Sequence, residues 1–164
     1  MIRVLIADDH AIVRHGLKQI VAETDDMTVI GEADTGTQAI KLVRDTPYDV
    51  VLMDISLPDR NGIEVLKQIK KEYPKLPVLM LSMHAEREFA VRALKAGASG
   101  YLTKQSAPMQ LVDAIRHVAA GKKYITPSLA EEVANMLSGD MELSPHKLLS
   151  DREYQTLCLI ASGK

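Results

Sequence analysis

The sequence has one cysteine and no tryptophan among its 164 residues. The single cysteine, Cys158, excludes an intramolecular disulfide and an all-cysteine metal site, and we expect it to be a small buried hydrophobe in a reducing compartment. One phenylalanine and five tyrosines leave the core to aliphatic side chains. So few aromatic residues offer no stacking platform for single-stranded nucleic acid.

The sequence also lacks a basic excess and a long apolar run. Twenty Lys and Arg residues stand against 22 Asp and Glu residues, which gives a formal charge of −2. The charge therefore does not predict nucleic-acid binding by the chain as a whole. No apolar stretch approaches the ~20 residues that span a bilayer, so we expect a cytoplasmic protein with no membrane partner.

Short apolar runs alternate with segments of helical period along most of the chain. The predicted strands are 3–7, 28–32, 50–53, 78–81 and 100–102, and the predicted helices are 11–23, 36–44, 62–72, 86–95 and 109–120. Several strands are apolar throughout, which indicates a parallel sheet covered by helices on both faces. The sequence therefore predicts an α/β fold: a flavodoxin-like (βα)5 doubly wound sheet of order 2-1-3-4-5.

Chemically active residues stand just beyond four of these strands. Asp8 and Asp9 follow the first strand, Asp54 follows the third, Ser82 follows the fourth, and Lys104 comes soon after the fifth. In an open parallel sheet, ligands bind at the carboxyl ends of the strands near the point where strand order reverses. We therefore expect these five residues to converge.

Three carboxylates in one crevice repel each other unless a cation is present. Oxygen ligands without a His or Cys pair at metal spacing select a hard ion such as Mg²⁺, which shares its shell with phosphate. Asp54, on a rigid strand end, can attack phosphorus, facing a metal bound mainly by Asp9. The Lys104 ammonium and the Ser82 hydroxyl can stabilise the phosphoryl group.

Four motifs resemble those of the response regulator receiver family, and the resemblance covers about residues 2–120. They are ADDH at 7–10, VVLMDISLPDRNG at 50–62, LMLSMH at 79–84 and GASGYLTK at 97–104. The resemblance implies that Asp54 is phosphorylated, that Asp9 binds Mg²⁺ directly and Asp8 through water, and that the Ser56 carbonyl completes the protein ligands.

The resemblance also assigns a loop and a switch. Pro58, Asp59 and Gly62 fit the loop after the phosphorylated strand, where their role is backbone shape. Ser82 and Tyr101 match the switch pair, in which the hydroxyl moves onto the phosphoryl oxygen and the ring turns inward. The change around Tyr101 would alter which partner that surface binds.

The segment 149–164, LSDREYQTLCLIASGK, resembles the start of a LuxR-type helix-turn-helix domain, and the motifs suit the NarL/FixJ subfamily. We predict a receiver domain at 1–122, a linker with a helix at 123–148, and the first helix of a truncated DNA-binding domain at 149–164. Because no recognition helix follows, DNA would be bound only through the C-terminal domain that this sequence lacks.

Two local features stay open or unassigned at this point. Many receivers have a cis proline after the residue equivalent to Lys104, but Gln105 stands here, and a cis bond at a non-proline residue costs ~3 kcal/mol. The geometry of that bond is left open. His10 and His84 flank the site, yet two histidines beside carboxylates are weak evidence for a transition metal. Neither is assigned as a ligand.

The hypothesis that results is a phosphorylation switch. A sensor histidine kinase donates a phosphoryl group to Asp54, phosphorylation promotes a homodimer, and the dimer regulates transcription. Self-catalysed phosphorylation and dephosphorylation would be slow, so the chain is not expected to be an enzyme.

Two alternatives remain. An aspartyl-phosphate-forming phosphatase would need an acid two residues after Asp54, where Ser56 stands. A phosphorylation-independent interaction module would not need the intact set of chemical positions.

Overall fold

A computed structural model describes residues 1–83 and 87–125 as one parallel sheet with helices on both faces. The five strands have the order β2-β1-β3-β4-β5, which confirms the predicted fold. The strands are β1 Ile2–Ala7, β2 Met27–Ala33, β3 Val50–Asp54, β4 Val78–Ser82 and β5 Gly100–Thr103. The helices are α1 Ala11–Ala22, α2 Gly36–Asp45, α3 Gly62–Glu72, α4 Arg87–Lys95 and α5 Ala107–Ala119.

The central strands β3 and β4 are apolar up to their last residues because both of their faces are covered. Every residue of β3 and β4 is buried. Alternate residues of β1 enter opposite layers, with Leu5 in the layer of α2, α3 and α4, and Ile6 in the layer of α1 and α5. Leu52 is fully buried, and its truncation to alanine would cost about 2–5 kcal/mol. This rigid centre fixes the ends of the strands.

The loop between β3 and α3 is tied down by side chains. Asn61 Oδ1 accepts a 2.8 Å hydrogen bond from the Ile63 amide and so caps α3. Asp59 contacts the first residues of α2, where its carboxylate accepts hydrogen bonds from the amides of Gly36 and Thr37 at 2.7 and 3.1 Å. Asp59 therefore also stabilises the start of α2, beyond the backbone role predicted for it.

Gly62 is required for space, not for an unusual φ angle. A Cβ atom at Gly62 would collide with the backbone of Asp54 and Ile55. The Gly62 amide donates a 2.7 Å hydrogen bond to the Ile55 carbonyl, which closes the loop tightly. Positive φ angles occur among the described residues only at Gly97 and Gly121. The tight loop holds the end of β3 against the start of α3.

Two predicted features are refined by the structure, and others lie outside it. Helix α5 begins at Ala107, two residues earlier than predicted, because Pro108 is tolerated in a first helical turn. The described residues contain no cis peptide bond, so the bond between Lys104 and Gln105 is trans. The predictions for 126–164, including Cys158, lie outside the described residues, as does His84. None of the described helices has the length and apolar character needed to cross a membrane.

Candidate phosphoryl-acceptor site

The carboxyl ends of four strands bring the predicted site residues to one edge of the sheet. Asp8 follows β1, and its amide donates to the Ala33 carbonyl of β2 at 2.9 Å. Asp54 and Ser82 are the last residues of β3 and β4. The Lys104 amide donates to the Ser82 carbonyl at 2.7 Å, which positions the residue that follows β5. The pairing of the strands thus places the two aspartates, the serine hydroxyl and the lysine next to one another at this edge of the sheet.

Lys104 lies between the two buried carboxylates. Its Nζ atom is 3.0 Å from Asp54 Oδ2 and 2.8 Å from Asp8 Oδ2, and its side chain is only 5% exposed. Burial alone would lower the pKa of Lys104, but its interactions with Asp8 and Asp54 outweigh burial and raise it. The ammonium is therefore held in its charged form.

Asp54 is buried at the end of β3, and its carboxylate faces both the Lys104 ammonium and the Asp8 carboxylate. Its Oδ1 atom accepts a hydrogen bond from the Ser56 amide at 3.1 Å. Burial raises the pKa of Asp54, the Lys104 ammonium opposes that rise, and the charge of Asp8 adds to it, so that the net shift is upward. The Lys104 ammonium therefore does not fully offset the effect of burial on the Asp54 carboxylate.

Asp8 is fully buried and is oriented by residues of the β1–α1 loop. Its Oδ1 atom accepts a 2.8 Å hydrogen bond from the His10 amide. The Arg14 guanidinium donates to the Asp8 carbonyl at 2.6 Å and lies 3.4 Å from Glu32. The Asp8 carboxylate is therefore fixed by its own loop, and the Asp8 backbone is held by Arg14 of α1.

Four side chains offer potential metal-binding atoms within 4.8 Å of one another: Asp8, Asp9, His10 and Asp54. Asp8 Oδ2 is buried and has no partner of hydrogen-bond geometry in the described residues, although Lys104 Nζ lies 2.8 Å away. A buried carboxylate oxygen of this kind, in a pocket with excess negative charge, fits the requirements of a divalent cation. The oxygen-rich set suits a hard ion.

Ser82 and Tyr101 are both nearly buried, at 7% and 5% exposure. Ser82 ends β4 at the same sheet edge as Asp54, and Tyr101 of β5 pairs with Met80 of β4 in the ladder. The Tyr101 ring belongs to the hydrophobic layer under α2, α3 and α4. The hydroxyl and the ring therefore lie on adjacent strands, with Ser82 nearer the pocket.

Three contacts of the site were not predicted from the sequence. They are the His10 ring beside the acids, the Arg14 bond to the Asp8 carbonyl, and the Asp59 cap of α2. Only the hydrogen bond from the His10 amide to Asp8 could have been predicted, because an aspartate side chain readily accepts a hydrogen bond from the amide two residues later.

Comparison with known proteins assigns the class. Residues 4–116 match the family model described as "Response regulator receiver domain". The chain therefore belongs to the response regulator receiver family and is a receiver of a two-component system, the class favoured over the two alternatives.

Individual relatives are similar over nearly the whole chain. The sequence is 39% identical over 161 residues to response regulator GacA of Pseudomonas viridiflava. The alignment covers 98% of this chain and 75% of that protein. A two-component response regulator of the LuxR family from Aurantimonas sp. SI85-9A1 has a TM-score of 0.76 and 38% identity, covering 83% of this chain and 97% of that one.

A third similar structure is the isolated REC domain of RcsB from Salmonella enterica serovar Typhimurium with the phosphomimetic BeF3⁻. It has a TM-score of 0.73 and 29% identity, and the match covers 79% of this chain and 96% of that one.

Proposed function

We propose that Asp54 is the phosphoryl-accepting residue of this receiver. The observation that carries the proposal is the burial of the Asp54 carboxylate at a strand end, 3.0 Å from Lys104 Nζ. A carboxylate on a rigid strand can be aligned with an incoming phosphorus atom, which is the main contribution a protein makes to phosphoryl transfer.

The chemistry balances without a proton from Asp54. One carboxylate oxygen forms the O–P bond as the P–N bond of a phosphohistidine donor breaks, and the bonding electrons return to the donor imidazole. Lys104 offsets the negative charge of the phosphoryl oxygens, and the Ser82 hydroxyl donates a hydrogen bond to one of them. The trans peptide after Lys104 and its bond to the Ser82 carbonyl hold the lysine at this point.

The pocket is suited to Mg²⁺, with Asp9, Asp54 and the Ser56 carbonyl as direct ligands and Asp8 as a ligand through water. Mg²⁺ would neutralise charge on the carboxylates and on the phosphoryl oxygens. The buried Asp8, held by the His10 amide, would orient the bound water. Burial, with a smaller contribution from the charge of Asp8, raises the pKa of Asp54, and this supports the assignment because a bound cation would favour the ionised carboxylate.

The Ser82 and Tyr101 pair would transmit the change. Movement of the hydroxyl toward the phosphoryl group would free space that the Tyr101 ring fills, and the altered surface would favour a homodimer. The similar REC domain of RcsB has been solved in the presence of the phosphomimetic BeF3⁻, so the same reagent can be used to look for this change here.

The remaining assignments follow from the family. A sensor histidine kinase would be the phosphoryl donor, and the chain would act as a switch with at most slow self-catalysis. We also propose a receiver at 1–122, a linker at 123–148 and the first helix of a DNA-binding domain at 149–164. DNA binding would belong to that domain and not to the receiver.

The test is phosphorylation by a small donor. The full chain is incubated with acetyl phosphate and Mg²⁺, and intact mass is measured for wild type, Asp54→Asn and the exposed control Asp45→Asn. Wild type and the control should each gain one phosphate, and Asp54→Asn should gain none. An unmodified wild type, or a phosphate on Asp54→Asn, would contradict the assignment.

A further inference from the structure

The His10 ring lies against the acidic pocket. Its Nδ1 atom is 3.0 Å from Asp8 Oδ1 and 3.1 Å from Asp9 Oδ1. The ring is 54% exposed, so its other edge faces solvent. One imidazole nitrogen therefore faces the carboxylates of the two residues that precede it.

These separations have the size of a coordination sphere. Ligand atoms stand about 2.0–2.2 Å from a zinc-like ion, so neighbouring ligand atoms are about 2.8–3.1 Å apart in octahedral geometry and about 3.3–3.6 Å apart in tetrahedral geometry. The Nδ1 atom of His10 and the two Oδ1 atoms could approach a common ion with little movement.

A second observation points independently to a cation. Asp8 is fully buried, and its Oδ2 atom has no partner of hydrogen-bond geometry among residues 1–83 and 87–125. Lys104 is the ammonium at the centre of the pocket, and it is shared between Asp8 and Asp54. The negative charge around His10 is thus incompletely balanced.

We propose that His10 Nδ1 is a metal ligand and that it raises the affinity of this pocket for first-row transition ions such as Mn²⁺, Co²⁺ and Zn²⁺ relative to Mg²⁺. This inference rests on the metal pocket of the proposed function and adds one nitrogen to its oxygen ligands. Imidazole suits these ions, whereas Mg²⁺ prefers oxygen. Nδ1 must then carry no proton, and Lys104, 3.2 Å from it, must stay on its carboxylate oxygens.

A transition ion bound through His10 would occupy the carboxylates that Mg²⁺ uses, so the two kinds of ion would compete for one pocket. The availability of a transition ion would then set how fast the receiver is phosphorylated or dephosphorylated.

The experiment is a Co²⁺ titration of the full chain followed by visible absorption, which responds to a nitrogen ligand. Wild type is compared with His10→Gln, which keeps a polar side chain, and with His15→Gln, which alters an exposed histidine of α1. His10→Gln should weaken Co²⁺ binding by about tenfold or more and shift the absorption band. His15→Gln should match wild type.

Mg²⁺ binding, followed by amide NMR shifts, gives the contrast. The loss of affinity in His10→Gln should be much larger for Co²⁺ than for Mg²⁺, and Asp9→Asn should weaken both ions. Circular dichroism checks that each variant is folded.

Equal Co²⁺ affinities for wild type and His10→Gln, or no Co²⁺ binding by wild type, would overturn the inference. If Asp54 is nevertheless phosphorylated with Mg²⁺, only the role of His10 fails. If Co²⁺ binding depends on His10 while Asp54 accepts no phosphate, the inference stands and the proposed function fails.

Discussion

An aspartate stands at each end of β3, and the two differ in burial, in their charged partners and in the direction of their pKa shifts. Asp49, just before the strand, is 38% exposed and pairs with one arginine, Arg3, at 3.1 Å. Asp54, at the end of the strand, is 2% exposed and shares one lysine with a second carboxylate. The hydrogen bond from Arg3 lowers the pKa of Asp49, whereas burial raises that of Asp54.

The difference separates a partly exposed ion pair from the site that we propose for phosphoryl transfer. The Asp49 carboxylate forms an ion pair with the Arg3 guanidinium and also accepts a 2.8 Å hydrogen bond from the Arg3 amide. At Asp54 the carboxylate is buried, and one lysine is shared between it and the buried Asp8. Residue type is identical at both positions, so burial and the neighbouring charges account for the opposite pKa shifts of the two aspartates.

The largest effect is expected from Lys104→Ala, which removes the only ammonium shown within ion-pair distance of Asp8 and Asp54 in the described part of the chain. Without it, two buried carboxylates lose their shared ammonium, and breaking a buried pair costs about 3–5 kcal/mol. Urea unfolding without divalent ions measures the loss. Replacement of the exposed Lys41 by alanine is the control, and equal stabilities of the two variants would contradict the picture.

Asp54→Asn should act in the opposite direction at neutral pH. The pKa of Asp54 is higher in the folded protein than in the unfolded chain, so wild type loses stability as pH rises from 3.8 through the raised pKa. The amide that replaces the carboxyl group is neutral at every pH, so the free energy of unfolding of the variant should exceed that of wild type by on the order of 1 kcal/mol at neutral pH. The gain should vanish below the ordinary carboxyl pKa of 3.8.

Thermal unfolding of both proteins across pH, with and without Mg²⁺, tests this comparison. Mg²⁺ should stabilise wild type more than Asp54→Asn. A variant less stable than wild type at neutral pH, in the absence of Mg²⁺, would show that Lys104 already balances the pocket.

The smallest effect belongs to Asp49→Asn at the other end of the strand. Its ion pair is partly exposed, so its loss should cost less than about 1 kcal/mol. Because folding lowers the pKa of Asp49, the wild-type advantage is present above 3.8 and is lost as pH falls through the lowered value. Chemical denaturation at neutral and acidic pH measures both parts, and a pH-independent difference would contradict them.

Much of this comparison could be predicted from the sequence. Apolar runs such as 50–53 indicate strands buried on both faces, and the acids that follow them indicate the reactive edge. The convergence of Asp8, Asp54 and Lys104 follows from strand order alone.

The unpredicted contacts depend on side-chain placement. Asp59 contacts Gly36 across 23 positions, a separation with no local pattern. The His10 ring could equally have pointed to solvent, and only the folded loop places it beside Asp9. Contacts of this kind are set by packing, which periodicity does not encode.

The central claim is that Asp54 alone accepts the phosphoryl group. The most direct measurement treats wild type with acetyl phosphate and Mg²⁺, reduces the acyl phosphate with borohydride, and locates the resulting homoserine by peptide mass spectrometry. We predict homoserine at position 54 and at no other aspartate. Homoserine at Asp8 or Asp9, or its absence from position 54, would contradict the account.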